Sequence, residues 1–168
     1  MPDSPQAIQQ DWKERLNALL PLYGHRNWIV VADSAYPLQS NPGIETIFAG
    51  GDQLAAIQHV LAAIAQCRHI RANVFADKEL AYLAESDAPG VLKYCRGLEA
   101  ALKEANVSYL PHEQIIDKLD ESARLFRILL IKTDMTIPYT SVFFQLDCGY
   151  WNTDAEHRLR KALSAASE

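Results

Sequence analysis

An uninterrupted apolar run over residues 29–32 is the strongest constraint that this sequence places on its fold. The run lacks the polar alternation of a half-exposed strand, so it predicts a strand that is buried on both faces of a sheet. His25 precedes the run, Asp33 follows it directly, and Tyr36-Pro37 then ends the regular structure, because proline restricts the residue before it. We expect His25 and Asp33 in the turns at the two ends of one strand, or of neighbouring strands, and take them as a candidate site.

Composition narrows the class of protein. A chain of 168 residues that is 49% hydrophobic has the length of one domain, over residues 1–168, with a sizeable core. The net charge of −5 and the lack of a Lys/Arg run argue against nucleic acid as a partner. No apolar stretch approaches the roughly 20 residues that span a bilayer, and residues 1–6 have neither the basic nor the apolar region of a secretory signal. The odd number of cysteines, without CxxC spacing, favours a reduced cytoplasmic protein.

Helix and strand patterns alternate along the chain. Helical patterns cover 6–20, 54–64, 77–83, 91–102, a segment that opens at 111–113, and 153–165. Strand patterns cover 29–32, 44–48, 70–75, 107–110, 128–131 and 141–146. This alternation predicts an α/β fold in which helices cover a central sheet. The last two strands are close in sequence, and we expect that they could pair antiparallel.

Two of the five histidines are candidates for chemistry. His25 and His112 each lie in a turn that joins regular elements, and α/β sheets place their sites in such turns. The other three are interpreted as surface or boundary residues (His59, His157) and as a solvated residue (His69).

Two further groupings have more than one interpretation. Tyr139 follows Pro138 between the last two strands and is a packing residue, unless it lies near His25 and His112, where its phenol would donate a hydrogen bond to a ligand. His25, Asp33 and His112 could instead form a metal triad of two histidines and one carboxylate.

Three segments resemble one known family. Gly24-His25 followed by the Asp33–Pro37 stretch resembles the opening motif of the D-ribose pyranase/L-fucose mutarotase family. Residues 111–114, in which His112 opens a helix, form the second match. Residues 138–144, where Tyr139 precedes a final apolar strand, form the third. The order and approximate spacing agree over roughly residues 16–149.

The resemblance implies a single three-layer α/β domain, with a mixed central sheet flanked by helices, whose subunits form a ring-shaped homo-oligomer. It implies a site at the subunit interface that binds a free monosaccharide and interconverts its anomers or ring forms by His-mediated acid–base catalysis, without metal or other cofactor. By the resemblance, His25 is the catalytic residue, and the sugar-binding positions are Asp33, His112, Tyr139 and Ser141.

The sequence departs from the family pattern at several points. Ser141 stands where the family usually has Asn, residues 132–134 and 26–28 differ from the usual stretches, and residues 154–168 form an additional C-terminal helix. These departures leave three alternatives open. They are a non-catalytic sugar-binding or regulatory protein on the same fold, the metal triad above, and an unrelated role.

Overall fold

The structure, a computed structural model, describes the backbone of residues 5–167 and the side chains of residues 11–167. Residues 1–4 and 168 lie outside the described residues. They are the two ends of the predicted domain, and residues 1–4 are most of the segment in which no secretory signal is expected. The described part contains five α-helices, which are α1 (Pro5–Leu19), α2 (Gln53–Ala65), α3 (Val91–Leu102), α4 (His112–Ala123) and α5 (Thr153–Ala165), and a 3₁₀ helix, Lys78–Tyr82. Its six strands are β1 (Trp28–Ala32), β2 (Ile44–Phe48), β3 (Ile70–Asp77), β4 (Val107–Leu110), β5 (Ile128–Lys132) and β6 (Val142–Cys148).

The strands form one mixed sheet in the order β2-β5-β1-β6-β3-β4. Strand β6 runs antiparallel to both of its neighbours, β1 and β3, while the other pairs are parallel. The prediction that the last two strands could pair was wrong. Strand β1 lies between them, because β5 pairs with β1 in parallel and β6 then adds to the other side of β1.

Helices cover the sheet on both faces. Strand β1 is buried over its whole length, as its unbroken apolar run predicts. Its side chains alternate between two cores: Ile29 and Val31 pack on the side of α1, α2 and α3, whereas Trp28 and Val30 pack with residues of α4. The structure therefore confirms the predicted α/β class, with a mixed central sheet between helical layers.

His69 lies against the end of helix α1. The ring of His69, expected to be solvated, is half-buried, and its Nε2 lies 3.0 Å from the carbonyl oxygens of both Leu20 and Tyr23, just after α1. That expectation was wrong because the carbonyls at a helix end need hydrogen-bond partners.

Helix α5 buries none of its residues. Within residues 5–167, no helix combines the length and apolar character needed to cross a membrane.

Candidate functional site

The carboxyl ends of β1, β3 and β4 meet at one edge of the sheet, because these strands all run in the same direction. The start of β6 lies at the same edge, since β6 is antiparallel to its neighbours. A cavity of about 490 Å³ opens there, within the size range of small-molecule sites. Its polar lining comprises Asp33, Tyr36, Gln39, Asp77, His112, Glu113, Asp120 and Tyr139.

Asp33 enters this cavity from the turn after β1, and hydrogen bonds fix its carboxylate in place. Its Oδ1 accepts a hydrogen bond from the backbone N–H of Ala35 at 3.0 Å, and its Oδ2 accepts one from the hydroxyl of Ser141 at 3.0 Å. The hydroxyl of Ser141 also accepts a hydrogen bond from the backbone N–H of Asp33, at 3.2 Å. Ser141 is only 2% exposed and is not among the residues that line the cavity. In this chain Ser141 therefore orients Asp33.

His112 opens α4 and is fixed at two points. Its Nδ1 lies 3.0 Å from Oδ2 of Asp77, the last residue of β3. Its backbone N–H donates to both carboxylate oxygens of Glu79, at 3.0 and 3.1 Å. Asp77 is 1% exposed, and its Oδ1 has no hydrogen-bond partner among the described residues. Burial raises the pKa of Asp77 to about 6, although the hydrogen bond and charge of His112 act in the opposite direction.

Tyr139 reaches the cavity from the connection between β5 and β6. Its backbone has φ of +58°, in the left-handed region that non-glycine residues rarely occupy. Its ring meets that of His112 edge-on, with the ring centroids 5.7 Å apart. Such backbone strain persists only where surrounding structure enforces it, and it is concentrated at functional sites.

A buried polar network holds this connection. The side chain of Gln53, 1% exposed, donates to the carbonyl of Thr140 at 2.6 Å and accepts from the hydroxyl of Thr133 at 2.7 Å. The hydroxyl of Tyr94 donates to the same carbonyl of Thr140 at 2.7 Å. The stretch 132–134, which departs from the family pattern, thus contributes Thr133 to the network that anchors the loop of Tyr139.

His25 lies at the opposite edge of the sheet. Its exposed ring places Nδ1 2.9 Å from Oδ1 of Asp147, whose Oδ2 accepts a hydrogen bond from Arg71 at 2.9 Å. Partial burial raises the pKa of Asp147, but hydrogen bonds from Arg71, the backbone of Cys148 and His25, together with the charge of Arg71, outweigh it and leave the pKa below its usual range. A second cavity, of about 620 Å³, adjoins His25.

The structure therefore brings Asp33, His112 and Tyr139 together, with Ser141 behind Asp33, and separates His25 from them. His25 and Asp33 lie beyond opposite ends of β1, as expected. A strand of five residues at about 3.3 Å each places those ends on the order of 15 Å apart. The alternative metal triad is not assembled within one chain, and the described residues contain no group of three or more His, Cys, Asp or Glu placed to hold a metal ion.

Sequence reasoning missed Asp77, the buried partner of His112. A usable signal was present, because Asp77 ends a strand just as Asp33 follows one, and the carboxyl ends of parallel strands share an edge. The predicted strand stopped at residue 75 and the next helix was expected to start at Asp77. Strand β3 in fact continues through Asp77. The prediction therefore placed Asp77 in the wrong element. Asp147 and Arg71, the partners of His25, were missed as well.

Comparison with known proteins identifies the family. The family model described as the RbsD / FucU transport protein family matches residues 8–148. The chain belongs to the RbsD/FucU family. Helix α5 begins beyond the segment that this family shares. No curated protein matches the sequence of this chain.

Solved structures of RbsD/FucU proteins share the fold. The structure of Bacillus subtilis RbsD complexed with D-ribose is 23% identical, with a TM-score of 0.53 over 79% of this chain and 91% of that one. The fucose mutarotase of Streptococcus pneumoniae in complex with L-fucose is 18% identical, with a TM-score of 0.51 over 88% and 98%. FucU from Bifidobacterium longum is 13% identical, with a TM-score of 0.53 over 79% and 92%. At these identities the likeness is one of fold.

Proposed function

We propose that this protein is a mutarotase or pyranase that interconverts anomers or ring forms of a free monosaccharide. The observation that carries the proposal is the cavity at the carboxyl edge, where Asp33, His112 and Tyr139 converge. A carboxylate, an imidazole and a phenol are the groups that bind sugar hydroxyls and move their protons. Membership of the RbsD/FucU family, and fold neighbours whose structures hold D-ribose or L-fucose, support this substrate class.

The reaction needs two proton transfers and no cofactor. One group takes the proton from the C1 hydroxyl, and another gives a proton to the ring oxygen as the C1–O ring bond opens. The open-chain aldehyde then closes on its other face, or through a different hydroxyl, and both protons return. General acid–base help is worth about 10²–10⁴ in rate, or roughly 3–5 kcal/mol. In this proposal His25 acts as an acid–base residue, Asp33 binds sugar hydroxyls, Ser141 orients Asp33, and Tyr139 donates to an oxygen with developing charge.

The separation of His25 from the cavity makes a second copy of the chain part of the proposal. His25 and Asp33 lie at opposite edges of one sheet, so one chain cannot bring both to the same sugar. A homo-oligomer in which His25 of one copy reaches the cavity of the next meets this requirement, and a closed ring repeats the contact for every subunit. We place this activity in the cytoplasm, consistent with three free cysteines, Cys67, Cys95 and Cys148.

Saturation-transfer NMR on free sugars tests the activity. Ribose, fucose, galactose and rhamnose are mixed with protein, and exchange between their anomeric or ring-form signals is measured. We expect faster exchange for at least one sugar and its loss in H25A and D33N. The exposed carboxylate of Asp117 on α4 provides a matched control, D117N, which should keep full activity. Full exchange in H25A would refute the catalytic assignment.

Mixing the two inactive variants tests the shared site. H25A and D33N subunits are unfolded together and refolded, so that mixed oligomers form. If His25 and Asp33 come from different copies, some sites regain both residues, and exchange activity returns. Activity that stays at the level of the separate variants would contradict a site shared between subunits.

A sugar-binding or regulatory protein without catalysis is the second candidate. The position of His25, outside the cavity of its own chain, favours it, as does Ser141, which is committed to Asp33. Calorimetric binding of a sugar to wild-type protein, together with no acceleration of anomer exchange by NMR, would select this candidate.

A further inference from the structure

The ring and the backbone of His112 are each held by a carboxylate. Its Nδ1 lies 3.0 Å from a carboxylate oxygen of Asp77, and its backbone N–H is bound by Glu79. Asp77 is 1% exposed, so this carboxylate is buried away from water, although its other oxygen has no partner in the part of the chain that the structure describes. Burying a charged group in this way is costly, and buried charges are retained where they are paired or serve a function.

The contact with Asp77 selects one form of the neutral imidazole. A carboxylate accepts the proton of Nδ1–H, which leaves the lone pair on Nε2. Among the described residues no group makes a hydrogen bond to Nε2 of His112, and the ring lines the cavity beside Tyr139. A histidine whose Nδ1–H is held by a buried carboxylate has its tautomer and orientation defined and is ready to accept a proton at Nε2.

We infer that His112 is an acid–base residue of the sugar reaction, and that Asp77 is the positioning residue that holds it for proton transfer at Nε2. This inference rests on the function proposed above and assigns His112 more than a sugar contact. In the opening step Nε2 of His112 takes the proton of the C1 hydroxyl, and the C1–O ring bond breaks as the carbonyl forms. The ring oxygen keeps the bonding electron pair and takes a proton from the second acid–base group, which is His25 of another copy. Closure returns both protons, so the protein is unchanged after each cycle.

The positions of Asp77 and His112 in the fold support these two roles. Asp77 ends β3 and His112 begins α4, directly after the parallel neighbour β4, so the hydrogen bond joins two rigid elements. Glu79 fixes the first turn of α4 independently, through the backbone. Removing the carboxylate charge of Asp77 should therefore alter the ring of His112 without displacing the helix.

The kinetic test compares D77N with wild type and with D117N, on whichever sugar the wild type exchanges. D77N keeps the size of the side chain and removes its charge. We expect kcat to fall about tenfold or more, with KM within about twofold of wild type, and both parameters unchanged in D117N. A rise in KM with kcat retained would show that His112 only holds the sugar, and would overturn the inference.

The tautomer is measured separately, in protein without sugar, by long-range ¹H–¹⁵N NMR of the imidazoles. The signals of His112 are assigned by their loss in H112Q. We expect the Nδ1–H form in the wild type at pH 8 and a mixture of tautomers in D77N. A wild-type ring with its proton on Nε2 would overturn the inference. If the wild type exchanges no sugar, the proposed function fails and the catalytic role of His112 fails with it. If exchange is present and D77N retains kcat, this inference alone fails.

Discussion

Replacing Asp77 with Asn should remove a contribution to stability that falls as pH rises between about pH 4 and pH 7. The ordinary pKa of this carboxyl is 3.8, and burial raises it to about 6 in the folded protein. The folded protein therefore binds this proton more tightly than the unfolded chain does. The free energy of unfolding falls as pH rises through this interval and is level above it. The two pKa values differ by an amount worth about 3 kcal/mol.

Urea unfolding of wild type and D77N, followed by circular dichroism from pH 4 to pH 8, measures this quantity. Carboxyl groups away from Asp77 titrate alike in both proteins, so the difference in unfolding free energy reports Asp77 together with its hydrogen-bond partner His112. We expect D77N to gain about 2 kcal/mol relative to wild type between pH 4 and pH 7, because part of the full effect lies below pH 4. The buried amide of Asn adds an offset that does not depend on pH. The control D117N should show no such trend, because Asp117 is exposed on α4.

A difference between D77N and wild type that stays constant with pH would refute this reasoning. It would mean that Asp77 titrates alike in the folded and unfolded states, despite its burial. The expected result would instead show that the protein keeps a carboxylate that destabilises its fold at neutral pH. Residues that cost stability in this way are typical of functional sites.

Three further predictions address the supports of the site and the C-terminal helix. S141A removes two hydrogen bonds to Asp33, so we expect a loss of about 1–2 kcal/mol in urea unfolding and weaker sugar binding by calorimetry; unchanged binding would contradict the role of Ser141. Q53L deprives the Thr133 hydroxyl and the Thr140 carbonyl of a partner, at about 2 kcal/mol, and should raise KM by loosening the loop of Tyr139; unaltered stability would argue against the network. Deleting residues 153–168 removes a helix without buried residues, so the unfolding free energy should change by less than about 0.5 kcal/mol; a larger loss would show that α5 contributes to the core.

The local pattern of the sequence was informative where burial is continuous or periodic. The apolar run over 29–32 predicted β1. The polar residues that flank this run placed His25 and Asp33 beyond the two ends of the strand. Apolar stripes predicted α2 and α3 to within a residue or two at each end. The weaker prediction was the end of β3, because the polar Asp77 reads as the start of a helix although it is paired with Leu110 of β4. A buried polar residue interrupts the apolar period of its strand, so only the place of Asp77 after a strand-like run pointed to the site.

The sequence by itself determined the elements, the family and most of the groups that could do chemistry. Only the tertiary structure decided which of those groups meet. Strand β6 inserts between β1 and β3, which are separated in sequence by α2 and β2, and this pairing brings Asp33, Asp77 and His112 to one edge and leaves His25 with Asp147 at the other. The reason is physical: side-chain periodicity is a local property of the chain, whereas strand order depends on the packing of surfaces that are about a hundred residues apart.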